Sequence, residues 1–280
     1  MTNGGTLRAE GIWFRYPGRE PALAGVDLEI LAGQFVALVG QTGSGKTTLA
    51  KHFNGLLRPE RGIVRVDGED IAGRSTADLA AVIGYCYQNP DHQIFATTVA
   101  DEIEFGPRNL GVPEEEVVRR TGRLLDLVRL RPEADRYPFS LGRGQRQKLA
   151  VASVLAMEPR IVIVDEPTTG LDWQGGEAMM AVMRELHQDG RTIMIITHDM
   201  NIVAEFADRM VVMADGRIVA DGPPADVFTA DSALREAYLR PPQAFRIARQ
   251  RPDLFGSALT VGQAAANLAE RIHEPVGGPG

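Results

Sequence analysis

Gly40 to Thr48 reads Gly-Gln-Thr-Gly-Ser-Gly-Lys-Thr-Thr, and no other stretch constrains the fold as tightly. Gly40, four residues, then Gly45-Lys46-Thr47 is the spacing of a phosphate-cradling P-loop. Phe35-Val36-Ala37-Leu38-Val39 ahead of it is an apolar run of buried-strand length, and Leu49 to Leu57 behind it reads as a helix. Strand, glycine loop, helix is the context the motif needs. Glycines let backbone N–H groups converge on phosphate oxygens, and the helix turns its positive end toward the same anion. Gly40, Gln41, Thr42, Gly43, Ser44, Gly45, Lys46, Thr47 and Thr48 are therefore expected to bind a nucleotide, Lys46 at the β- and γ-phosphates and the Thr47 hydroxyl toward Mg²⁺.

Composition bounds the rest. The chain has 280 residues, room for one large core and an appended piece. Thirty basic against 37 acidic residues leave a net charge of −7, and nothing recommends nucleic acid as a partner. No apolar run approaches the ~20 residues of a membrane span. Met1-Thr2-Asn3-Gly4-Gly5 carries neither a basic region nor an apolar one, so no signal peptide is expected. Cys86 is alone, which excludes an internal disulfide and a cysteine-based zinc site. These features suit a reducing cytoplasm, and a soluble chain of this kind can still dock on a membrane protein.

Along the chain, Leu7–Tyr16 predicts a strand ended by Pro17-Gly18, and Val26–Ile30 alternates as a half-buried antiparallel strand does. Tyr16 is placed to lie under an adenine ring, or else to pack as an ordinary strand-end tyrosine. Ile63–Val66, closed by Asp67-Gly68, and Val82–Tyr85 read as further strands. The composition then changes. Thr98–Leu110 and Glu114–Leu130 predict two helices with no strand between them, the first capped by Thr98 and Asp101. Val117, Leu124, Leu125 and Val128 give the second one apolar face. Residues 90–140 are thus expected to form a helical subdomain inserted in an α/β core. A helix from Ser140 to about Met157, a buried strand Ile161–Val164, a helix Gly176–Gln188 and strands Thr192–Thr197, Met210–Met213 and Arg217–Ala220 complete the core. Residues 224–240 and 242–272 look helical or mixed, broken at Pro241-Pro242, and Gly277-Gly278-Pro279-Gly280 is expected to be a disordered end.

Four apolar residues followed by Asp165-Glu166 set two carboxylates at the C-terminal end of a strand, where α/β sheets bind ligands. Asp165 can hold Mg²⁺ from beside Thr47, and Glu166 can polarise a water for in-line attack on the γ-phosphate. With a P-loop ahead of them they point to nucleotide hydrolysis.

At this point the chain resembles the nucleotide-binding subunits of ABC transporters along almost its whole length. Gly40–Thr47 is similar to the Walker A motif, Gln88 to the Q-loop glutamine that ligates Mg²⁺ and water, and Asp165 and Glu166 to Walker B and its catalytic glutamate. Thr169-Gly170-Leu171-Asp172 resembles the D-loop, His198 the switch histidine at the γ-phosphate, and Tyr16 the adenine-stacking aromatic. The resemblance implies a RecA-like P-loop core with an antiparallel β subdomain, the inserted helical subdomain and a small C-terminal extension. It places the ATPase domain at 1–222 and the extension, expected to pair the subunits, at 223–280. It implies ATP and Mg²⁺ as cofactors, and catalysis by Glu166, His198 and Lys46.

The signature motif departs from the family, whose Leu-Ser-Gly-Gly-Gln appears here as Leu141-Gly142-Arg143-Gly144-Gln145. Family members clamp ATP between two subunits, so the missing hydroxyl at Gly142 removes a donor from the partner's site, as suits an asymmetric heterodimer. Gln88 to Phe95 and Thr98 to Pro107 are similar to the energy-coupling factor branch, importers of vitamins and transition-metal ions. That likeness implies a second ABC ATPase subunit, a transmembrane coupling subunit and a membrane substrate-binding subunit as partners, on the cytoplasmic side of the cell membrane. Within the stretch, Ile94, Phe95, Val99, Ile103 and Phe105 lie beside Asp91, Asp101, Glu102 and Glu104. Val99 and Ile103 are expected to pack the subdomain, and Asp91, Gln93 and Phe95 to receive the membrane partner. A soluble ABC protein of DNA repair or translation usually carries two cassettes or large insertions. A non-hydrolytic subunit would lack Glu166 or His198.

Overall fold

The computed structural model describes residues 3–273. Its strands are β1 Leu7–Arg15, β2 Pro21–Ile30, β3 Phe35–Val39, β4 Arg61–Val66, β5 Glu69–Asp70, β6 Ile83–Cys86, β7 Ile161–Asp165, β8 Thr192–Ile196, β9 Arg209–Ala214 and β10 Arg217–Gly222. Its α-helices are α1 Lys46–Phe53, α2 Thr76–Ala80, α3 Val99–Asn109, α4 Glu114–Leu127, α5 Arg143–Leu155, α6 Trp173–Gln188 and α7 Met200–Phe206. After β10 follow α8 Pro224–Val227, α9 Asp231–Glu236, α10 Gln243–Gln250, α11 Pro252–Phe255 and α12 Val261–His273.

Two sheets share the core. The larger runs β10-β9-β3-β8-β7-β6, with every pair parallel except the β9–β10 hairpin. β3, β6, β7 and β8 are buried at every position, as parallel strands covered on both faces must be. Their alternate residues feed two cores. Phe35, Ala37 and Val39 enter the one beneath the helices, and Val36 and Leu38 the one shared with α1 and the second sheet. That second sheet is antiparallel, in the order β2-β1-β4-β5, and β2 alternates buried and exposed from Val26 onward.

The connection between neighbouring strands β6 and β7 is entirely helical, made of α3, α4, α5 and short 3₁₀ turns. Thr98 caps α3 by accepting the Asp101 N–H at 3.0 Å. Val117, Leu124, Leu125 and Val128 are all buried, so α4 does present one apolar face. Helix α1 starts at Lys46, three residues earlier than its apolar pattern, because Gly45 at φ 105° turns directly into the first helical turn. Helices α2 and α7 are too short to show a hydrophobic period. Ser75 and Asp78 close α2 with a reciprocal capping box.

Beyond β10, Val227, Phe228, Leu234, Ala237 and Phe245 join the core that lies under the large sheet. Pro241 and Pro242 separate α9 from α10. The glycine-rich end 277–280 lies outside the described residues. No helix among the described residues is long and apolar enough to cross a membrane.

Candidate active site

The loop from Gly40 to Gly45 leaves the end of β3 and delivers Lys46 and Thr47 on the first turn of α1. A Cβ on Gly40, at φ 147°, would lie 2.2 Å from the Met213 carbonyl oxygen, so only glycine fits against β9. Lys46 Nζ donates to the Gly40 and Gln41 carbonyls, each at 2.8 Å, and lies 3.4 Å from Ser44 Oγ. Burial lowers the Lys46 pKa, and the Glu166 and Asp165 carboxylates oppose that shift.

Two acids from the end of β7 face this loop. The Thr47 hydroxyl donates to Asp165 Oδ2 at 2.7 Å, although the two lie 118 positions apart. Burial raises the Asp165 pKa, the Thr47 hydrogen bond works against that rise, and the Glu166 charge adds to it. Glu166 holds φ 55°, a left-handed backbone that a branchless acid tolerates only when held in place. Its N–H donates to the Ile196 carbonyl at 2.8 Å, which ties the turn to the end of β8. The same strand end carries His198, whose Nδ1 donates to Glu166 Oε1 at 2.8 Å. The Glu166 side chain is 11% exposed and the His198 ring 74%, so a sheltered carboxylate is oriented by a ring open to solvent.

Tyr16 stands with Gly43, Gly45, Lys46, Thr47 and Thr48 around one open cavity of about 400 Å³. Its hydroxyl is 3.4 Å from Thr48 Oγ1. Gln88 follows β6 by two residues, and the pairing Cys86↔Val164 sets that chain end level with Asp165 and Glu166. A hydroxyl, a carboxylate and an amide are hard oxygen donors of the kind Mg²⁺ takes together with water and substrate phosphates. Among the described residues no cluster of three or more His, Cys, Asp or Glu forms an all-protein metal cage. Thr47 and Asp165, whose side chains meet at 2.7 Å, are donors that fit such an ion.

The signature residues sit elsewhere. Gly142 is the N-cap of α5, and its N–H donates to Gln145 Oε1 at 3.1 Å. Leu141 is buried, and a Cβ on Gly144 would lie 3.2 Å from both Gly170 O and the Leu171 side chain. The stem of Arg143 crosses Gly170, where an added Cβ would meet its Nε at 3.0 Å. Asp172 caps α6 through the Gly175 N–H at 2.7 Å. Arg143 and Gly144 thus pack on the loop that follows Glu166, and none of the five signature residues lines the Lys46 cavity.

Of the three residues expected to receive a partner, Phe95 is exposed and packs edge-on against Phe105, centroids 4.6 Å apart. Asp91 is paired with Arg146, one residue past the signature. Gln93 turns inward instead, its amide donating to Ala150 O at 2.7 Å and Ser153 Oγ at 3.2 Å. Val99 and Ile103 are fully buried, as expected, and Ile94 and Glu102 are buried beside them. Glu102 accepts the Phe95 and Ala96 N–H groups at 3.0 and 2.8 Å, which explains why an acid stays inside. Arg146 escaped the sequence reading because its partner Asp91, 55 positions away, is brought to it only by the packing of the 3₁₀ turn against α5. A glutamate in the first turn of a capped helix is the one local sign that Glu102 bonds backbone.

Residues 23–169, more than half of the chain, match the protein-family model described as ABC transporter. A putative ABC transporter ATP-binding protein of Caldanaerobacter subterraneus subsp. tengcongensis is 48% identical over 84% of this chain, which spans only 42% of that longer relative. The energy-coupling factor transporter ATP-binding protein EcfA of Methanocaldococcus jannaschii is 36% identical, over 96% of this chain and 98% of its own. The solved structure of CbiO1 from Clostridium perfringens, described as part of the ABC transporter complex CbiONQ, superposes with a TM-score of 0.72. It is 35% identical and covers 87% of this chain and 97% of its own. The family-model match, the relatives and the P-loop geometry agree, and the chain belongs to the ABC transporter family as an ATP-binding subunit.

Proposed function

We propose that this chain binds and hydrolyses ATP to power an energy-coupling factor type importer of a vitamin or transition-metal ion. One observation carries the enzymatic part: two hydrogen bonds side by side, Thr47 to Asp165 at 2.7 Å and His198 to Glu166 at 2.8 Å, at the ends of adjacent strands. The relatives named for energy-coupling factor transporters and the CbiO1 neighbour support the importer part.

The residues divide the work. Tyr16 stacks the base. The loop amides hold the phosphates, and Lys46 leaves the Gly40 and Gln41 carbonyls for the more strongly charged β- and γ-oxygens. Mg²⁺, when held by Thr47, Asp165 and Gln88, neutralises charge on those oxygens. Glu166 accepts a hydrogen bond from the attacking water and takes its proton as the water oxygen bonds to the γ-phosphorus. The bond from that phosphorus to the bridging oxygen breaks, giving ADP and phosphate. His198 keeps the Glu166 carboxylate aimed, and its exposed face is free to meet the γ-phosphate.

The signature residues lie outside the Lys46 cavity, which supports a second ATPase subunit that presents its own signature to this site. A transmembrane coupling subunit docks beside Phe95 and Phe105, and a membrane substrate-binding subunit selects the solute. The ATPase is then peripheral, on the cytoplasmic face of the membrane. Residues 223–280 take part in pairing the two ATPases. Affinity capture of the full chain from detergent extracts, with Mg²⁺-dependent phosphate release measured on the eluate, tests all of this. Recovery of two integral membrane subunits with ATP turnover is the expected result. ATP turnover without any membrane partner would leave the enzyme and remove the importer.

A further inference from the structure

His52 is fully buried on α1, one and a half turns behind Lys46 and Thr47. Its Nδ1 lies 2.7 Å from the Thr48 carbonyl oxygen. A carbonyl only accepts, so Nδ1 carries the proton; Nε2 is buried and forms no well-aligned hydrogen bond, although the Arg58 backbone also lies against the ring. An unpaired nitrogen in a core is unfavourable, and a phenylalanine would fill the same space without it. Space-filling alone therefore does not account for an imidazole at this position.

The surroundings of the ring do. His52 meets the ring of Phe14 edge-on, with centroids 4.9 Å apart and planes at 79°. Phe14 in turn meets the ring of Tyr16 edge-on, with centroids 5.0 Å apart and planes at 90°. The second link runs through Thr48, whose carbonyl takes the His52 N–H and whose hydroxyl stands 3.4 Å from the Tyr16 hydroxyl. His52 thus connects to Tyr16 by two routes, one through the ring of Phe14 and one through Thr48.

We infer that His52 is a positioning residue for the base platform: with Phe14 and Thr48 it holds Tyr16 in the orientation that stacks the adenine of ATP. The inference rests on the assignment of Tyr16 to the base. Burial lowers the His52 pKa against the opposing pull of the Thr48 and Arg58 backbones, which disfavours a charge beneath the nucleotide. Because α1 also carries Lys46 and Thr47, one helix then sets both the phosphate end and the base end of the site.

The test separates base from phosphate binding. Dissociation constants for ATP and for inorganic tripolyphosphate are measured by calorimetry on the full chain. His52→Ala should weaken ATP by about threefold to tenfold, the scale of an aromatic contact, and leave tripolyphosphate within about twofold. His52→Phe keeps the edge contact and the core volume and loses the Thr48 bond, so its ATP affinity should fall between the two. In a Tyr16→Ala background His52→Ala should have no further effect on ATP, because both act through one ring. If both ligands weaken equally in His52→Ala and His52→Phe, His52 supports the phosphate loop and the inference is overturned. If Tyr16→Ala weakens ATP alone and neither His52 variant does, the base platform stands and the bracing role falls. If Tyr16→Ala leaves the ratio of the two constants unchanged, the platform falls and the inference with it.

Discussion

Asp91 and Arg146, 55 positions apart in the chain, form one ion pair, with Asp91 Oδ1 2.6 Å from Arg146 Nε. Arg146 also donates to the Leu141 carbonyl at 2.5 Å. The turn after Gln88 is therefore tied to the first residues of the signature helix. The pair is partly exposed, and such pairs are worth about 0–1 kcal/mol, so its use is geometric. Charge reversal at Asp91 would set two guanidinium groups against each other, so its effect would not report on a partner alone. Phe95→Ala is the cleaner probe. It should weaken capture of the membrane coupling subunit by about tenfold or more, as loss of an apolar anchor does. ATP affinity of the isolated chain should stay unchanged. Full assembly by both Phe95→Ala and Asp91→Arg would take the docking face away from this turn.

Glu166→Gln should keep ATP binding and slow hydrolysis by ~10² or more, the loss expected of a positioned base. His198→Ala removes the hydrogen bond that aims the carboxylate and should slow the same step less. Single-turnover phosphate release on the assembled complex checks both. Unchanged turnover in Glu166→Gln would take the glutamate out of the reaction.

Gly142 has an extended backbone at φ −63° and ψ 157°, and an added Cβ would meet only Gln145 Oε1, at 3.7 Å. Gly142→Ser therefore introduces a cap without strain and should raise stability by about a few tenths of a kcal/mol. One neutral hydrogen bond contributes about 1 kcal/mol net, so turnover at the partner's site should change by less than about tenfold. Nucleotide trapping in a mixed dimer, read separately for each site, shows which site responds. Equal loss at both sites in Gly142→Arg would defeat the assignment of this motif to the partner's nucleotide.

Gly84 lies on β6 under the signature helix, and a Cβ there would stand 2.4 Å from Val154 Cγ1 and 2.8 Å from Pro159 Cγ. Gly84→Ala overpacks that contact and should cost about 1–3 kcal/mol. Thermal unfolding should fall by roughly 2–4 °C for each kcal/mol in a chain of this size. An unchanged midpoint would mean that α5 shifts freely against the sheet.

What could be read from the sequence was local. The P-loop and the Asp165-Glu166 pair each sit at a strand end announced by five or four apolar residues, so residue type and position coincide. The helical run between β6 and β7 was legible for the same reason. Which face a side chain takes was less so. Asp91, Gln93 and Phe95 lie within five positions, yet one pairs with α5, one points into it and one faces solvent. A 3₁₀ turn at Pro90–His92 makes those directions, and it has no hydrophobic period. Gln93 was misjudged as a docking residue because alternation near a turn does not reveal which side the neighbouring helix will cover. His52 carried no signal at all, since a lone histidine in a helix gains meaning only from the strand packed against it.

The order of the large sheet sets a timetable for synthesis. The central strand β3 pairs only with β8 and β9, so Phe35 must wait for Ile193, and Val36 for Arg209. A ribosome adding about 5–20 residues per second leaves β3 without either neighbour for on the order of ten seconds. Throughout that interval a wholly apolar strand with two open edges hangs from a nascent chain, in the form most prone to pair with another copy. The phosphate loop cannot be held in place before β9 and the turn after it have emerged, because the Ser44 carbonyl accepts the Gly216 N–H at 3.1 Å. ATP thus becomes able to stabilise the protein only late in its manufacture, and until then the growing polypeptide depends on whatever shields its exposed edges.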